Sequence, residues 1–123
     1  MQFLRTAALV ALVAFPLSLA AAGPLTLTIE RAFVGEAAGT GEPVLDLELA
    51  PQSAREFGDL TASNIGRIVE LRIDGKVVFA PIVRDPIRSG DVEISGHFSR
   101  LELLEAANRI WRGTATVDAA PRD

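Results

Sequence analysis

The chain has 123 residues, enough for one domain. Twelve Lys and Arg face sixteen Asp and Glu, a formal charge of −4, which argues against a phosphate-neutralising nucleic-acid footprint. With no cysteine, disulfides, thiolate zinc sites, iron–sulfur clusters and a cysteine nucleophile are all excluded.

The first residues read as an export leader. Arg5 supplies the basic start, Ala7 to Phe15 is unbroken apolar sequence, and Pro16 and Ser18 then interrupt it. Ala20-Ala21-Ala22 offers small residues at a cleavage site before Gly23. The apolar stretch is shorter than the roughly 20 residues that span a bilayer. The expectation is a cleaved signal peptide over residues 1–22, a folded domain over 23–118 and a loose tail over 119–123. The protein would then be periplasmic, with no stable membrane span, and membrane-tethered only if the leader stayed uncut.

Leu25 to Phe33 alternates, with Leu25, Leu27, Ile29 and Phe33 apolar between polar residues, and predicts one half-buried strand. Gly35 to Pro43 is a glycine-rich loop, and Val44 to Leu49 alternates again and can return antiparallel. Pro51 suits the first turn of a helix over Gln52 to Leu60, extended by a turn or two to a stop at Gly66. Ile68 to Ile73 and Lys76 to Ala80 flank Asp74-Gly75, a strong hairpin signal, and Pro81 ends the pairing. Arg84 to Asp91 is a connector and Val92 to Ser95 a short strand.

The last helix is the best marked. Ser99 and Glu102 form a capping box, and Phe98 and Leu103 a hydrophobic staple. Leu103, Leu104, Ala107, Ile110 and Trp111 make its buried stripe, and Gly113 its stop. Thr114 to Val117 can add a short strand. The order predicts an α+β fold: two layers, a mostly antiparallel sheet with two helices packed on one face.

Between Phe57 and Gly113 a series of residues keeps its order and spacing. Thr61, Asn64, Gly66 and Arg67 follow a T-x-x-N-x-G-K/R helix end. Asp74, Gly75, Val77 and Pro81 follow a L-D-G-x-V-x-x-x-P hairpin, with Ile73 in place of the leucine. Ile87 and Gly90 match I-x-x-G; Ile94, Gly96 and Phe98 match I-x-G-x-F; Ser99 and Glu102 open a T/S-x-x-E-A helix, with Leu103 in place of the alanine. This series resembles the head subdomain of the first periplasmic region of SecD, the membrane-anchored helper of protein export. The resemblance implies contact with a polypeptide. It does not carry over the proton-driven motor, which needs a base subdomain and transmembrane helices not seen after the leader. The ten signature residues Thr61, Asn64, Gly66, Asp74, Gly75, Pro81, Gly90, Gly96, Phe98 and Glu102 are of types that fix turns, caps and packing, so the signature reads as mainly structural.

Chemistry is sparse. His97 is the only histidine and lacks a second His for a zinc pair. Glu102 and Glu105 stand one helical turn apart, but Glu102 is the cap. Asp46 and Glu48 share a wet strand face. Gly39-Thr40-Gly41 lacks the lysine of a phosphate loop, and Arg84 and Arg88 lie on a connector. No catalytic, cofactor or metal site is expected. The preferred function is a non-catalytic module binding a protein or unfolded polypeptide, with Sec translocon components among its partners, through an exposed sheet edge. The competing reading is a structural or inhibitory domain with one dedicated partner unrelated to secretion.

Overall fold

The computed structural model describes residues 23–123; the expected leader, residues 1–22, lies outside the described residues. The elements run β1 (Leu25–Leu27), β2 (Ile29–Glu36), β3 (Pro43–Leu49), α1 (Pro51–Ala62), β4 (Val69–Ile73), β5 (Lys76–Phe79), β6 (Asp91–Ile94), α2 (Arg100–Trp111) and β7 (Val117–Pro121). The α+β class is as the sequence implies, with every strand pair antiparallel.

The strands form two sheets, β1-β7-β4-β5 and β2-β3-β6. The single strand expected over Leu25 to Phe33 is therefore two. It breaks at Thr28, whose N–H donates to Ser53 Oγ at 2.8 Å and whose carbonyl accepts from Ala50 N–H at 2.9 Å. β1 joins β7, and β2 joins β3. The alternation changes phase just past the switch: a register shift between Ile29 and Arg31 lets Leu27 and Ala32, five residues apart, face one core and turns Phe33 outward. Side-chain periodicity reports the buried face, not the hydrogen-bonded neighbour.

That core is one cluster with residues from both sheets and both helices, among them Leu45, Phe57, Leu71, Ile94, Leu103 and Ala119. α1 starts on Pro51, whose missing N–H costs nothing in a first turn. It buries Ser53, Phe57, Gly58 and Thr61. It ends at Ala62, earlier than the expected stop at Gly66. Between β4 and β5, Asp74 (φ 52°) and Gly75 (φ 81°) both take the left-handed conformation a type I′ turn demands. Asp74 also accepts from Thr116 N–H at 2.9 Å and pairs with Arg109, so the hairpin corner is tied to β7's entry and to α2.

Two expectations change. Residues 119–121 are not a loose tail: β7 runs through Pro121, lies between β1 and β4, and buries Ala119 completely. Arg122 N–H then donates to Ile68 O at 2.9 Å. The Arg72–Asp118 pair, directly opposite across β4 and β7 and 2.7 Å apart, fixes the register. The buried stripe of α2 is also narrower than expected. Leu103 and Ala107 are buried, while Leu104 is 47% and Trp111 63% exposed. α2 packs on β2 and β3, and β2 is the edge of its sheet, so the second ridge of the helix has no strand beneath it.

Candidate functional site

That second ridge lines a groove. Leu104, Asn108 and Trp111 recur at four- and three-residue spacing along α2 and face Ala32, Phe33 and Val34 of β2 across a hollow of about 490 Å³. Phe33 is 49% exposed. Three large apolar side chains thus stand open along one edge.

The groove runs beside unpaired backbone. Leu49 N–H donates to Gly90 O at 2.8 Å, on the β6 side of β3. Successive residues of a strand turn their peptide groups to opposite sides, so Asp46 and Glu48 turn theirs towards β2. Phe33 and Arg31, their opposite numbers, pair with them. The peptide groups of Ala32 and Val34 are left on the free edge. One of them has a side-chain partner: Trp111 Nε1–H donates to Ala32 O at 2.8 Å. Beyond the register shift between Ile29 and Arg31, the edge over residues 31–36 is of the kind that templates strand addition.

The outer face of the same sheet is acidic. Asp46 stands directly opposite Glu93, and Glu48 directly opposite Asp91. Arg31 binds Glu48 at 2.7 Å. Burial, with the Asp91 charge adding to it, pushes the Asp46 carboxyl above its ordinary range.

The signature residues sit elsewhere and form two groups. Around the end of α1, the fully buried Thr61 hydroxyl lies 2.9 Å from Phe57 O and accepts Ile87 N–H at 2.9 Å. Asn64 Nδ2 donates to Leu60 O at 2.7 Å, Gly66 N–H to Val83 O at 2.7 Å, and Pro81 O accepts Val69 N–H at 3.1 Å. At the start of α2, Gly96 lies against the Phe98 ring, Phe98 packs on the core, and Ser99 and Glu102 exchange both capping-box bonds at 3.1 and 2.8 Å. Gly90, at φ +82°, lies against α1, where an added Cβ would come within 3.2 Å of Ala54 Cβ. Asp74 and Gly75 make the hairpin corner. These ten residues do not converge on one cleft.

His97 is exposed. Arg88 reaches Asp59 at 3.4 Å, on the surface. Among the described residues, no group of three or more His, Cys, Asp or Glu is placed to hold a metal. No helix among them is long and apolar enough to cross a membrane. The sequence reading placed Trp111 and Leu104 in the core and so missed the groove. The available signal was the doubled ridge: Leu103, Ala107 and Ile110 already fill one face, and Leu104 and Trp111, seven apart, define a second.

An antiparallel α+β domain with an open apolar edge and a signature of turns and caps is thus the class defined by the geometry. Residues 26–113 match the family described as SecDF, P1 head subdomain, and the chain belongs to that family. It is similar to protein translocase subunit SecD of Thermobaculum terrenum (38% identity over 63% of this chain) and of Acidaminococcus fermentans (44% over 63%). The chain spans only 15% and 19% of those relatives. Its fold superposes on a solved SecDF, described as a membrane component that enhances protein export, with a TM-score of 0.66 and 28% identity, covering 78% of this chain and 43% of that one. A second structure, SecDF in a super-membrane-facing form, gives the same TM-score and identity over 13% of its length.

Proposed function

We propose that this domain is a non-catalytic, periplasmic module that binds extended or unfolded polypeptide as an accessory to protein export, with exported chains and translocon components as its partners. The relatives are named as protein translocase subunits, and one solved relative as a component that enhances export. The observation that carries the reading is the free edge of β2 flanked by exposed Phe33, Leu104 and Trp111. Main-chain bonds at the Ala32 N–H and the Val34 peptide groups supply affinity for any extended segment, and the apolar side chains exclude water from them. On this reading the ten signature residues hold the scaffold and none reacts.

A photo-cross-linker placed at Phe33 or Trp111 in the full chain, expressed with its leader, tests this. Exported chains or translocon components should be captured there, and not by the same probe at exposed Ile65 in the loop after α1. Equal capture at both positions, or none, would count against the reading.

A further inference from the structure

The edge of β2 adjoins a face whose charge is unbalanced. We propose that the site prefers extended segments in which apolar and basic residues alternate, the apolar ones entering the α2 groove and a basic one meeting Asp46. This rests on the polypeptide-binding reading and adds a selectivity to it.

A strand added along β2 would send alternate side chains to opposite faces. On the inner side they meet Leu104 and Trp111, which favour apolar groups. On the outer side they lie beside Arg31, Phe33 and Gly35. Gly35 carries no side chain, and Asp46 leans into the space this leaves: a Cβ at position 35 would sit 3.1 Å from Asp46 Oδ2. At position 35 no β2 side chain stands between the free edge and that carboxylate. The next strand but one is about 10 Å distant, within reach of a lysine's four-carbon stem or an arginine.

The face supplies the reason for a cation. Asp46 opposite Glu93 and Glu48 opposite Asp91 are like-charged cross-strand pairs, which repel. Arg31 answers Glu48. Among the described residues no salt bridge reaches Asp46. Phe33 borders both the groove and the acidic face, whose hollow measures about 410 Å³. One bound segment therefore touches both.

Trp111 is the only tryptophan of the chain, and its ring holds the Ala32 carbonyl. Its emission therefore reports occupancy of the edge. The full chain is titrated with short peptides alternating Lys with Val, and Glu with Val. The Lys peptide should shift the emission and bind about tenfold more tightly than the Glu peptide, an advantage that shrinks with added salt. Asp46→Asn, checked for unchanged circular dichroism, should erase most of that advantage. Equal affinity for the two peptides would overturn the selectivity and leave the binding reading standing. A preference unchanged by Asp46→Asn would overturn the role of Asp46. Binding of neither peptide would overturn both readings.

Discussion

The Thr61 hydroxyl accepts the Ile87 N–H at 2.9 Å, joining the last turn of α1 to a connector 26 positions away. Its own hydrogen is shared between the Phe57 and Gly58 carbonyls, at 2.9 and 3.0 Å. Thr61 is fully buried, so the bond is shielded from water. Replacement by Val keeps the shape and leaves the Ile87 N–H without its partner. Thr61→Val should cost about 1–3 kcal/mol, and Thr61→Ser less than Thr61→Val, measured by urea unfolding.

The cap of α2 makes a pH-dependent contribution. The Ser99 backbone N–H, and then the Ser99 side chain, hold the Glu102 carboxyl below its ordinary range. A carboxyl depressed in the fold stabilises above its unfolded pKa and loses that contribution as pH falls through the folded one. Acid titration should therefore weaken the wild type more than Glu102→Gln, which keeps an acceptor but no titrating charge. Ser99→Ala should cost about 1 kcal/mol at neutral pH.

Asp46 works in the opposite sense. Its carboxyl is raised by burial and by Asp91, so its ionised form is disfavoured in the fold, and its contribution improves as pH falls through its folded pKa. Asp46→Asn should leave the isolated protein as stable as wild type or more so at neutral pH. Parallel denaturation curves across mildly acid and neutral pH read this out.

Two glycines separate backbone strain from contact. Gly75 and Gly90 have φ of +81° and +82°, but only at Gly90 would a Cβ meet another side chain, Ala54. Gly75→Ala should cost about 1–2 kcal/mol, the left-handed penalty. Gly90→Ala should cost more, and Ala54→Gly should recover part of the excess. Additive losses in the double variant would deny the contact.

Much of this fold was legible where one residue type meets one backbone demand. Asp74-Gly75 can hardly be anything but a hairpin corner, and Ser99 with Glu102 can hardly be anything but a helix start. What stayed hidden was choice of neighbour. Nothing in Leu25 to Phe33 shows that Thr28 changes sheets, because the apolar Phe33 keeps the spacing of Leu25, Leu27 and Ile29 and hides the phase shift that buries Ala32 instead. The short strand expected over Thr114 to Val117 instead runs over Val117–Pro121, a shift hidden because Ala119 and Ala120 have little intrinsic strand preference; its place between β1 and β4 comes from their pairing. Trp111 was misplaced for a related reason. Apolar spacing on α2 shows two ridges, and only the position of β2 at a sheet edge decides which is covered.

Hydrogen exchange at the Ala32 and Val34 amides tests the polypeptide site most directly. Adding an unfolded exported chain should slow both, because they face the open side of β2, while the amides of Phe33 and Gly35, already bonded to β3, change little. Unchanged exchange at Ala32 and Val34 in the presence of a bound chain would place the contact elsewhere and contradict the account.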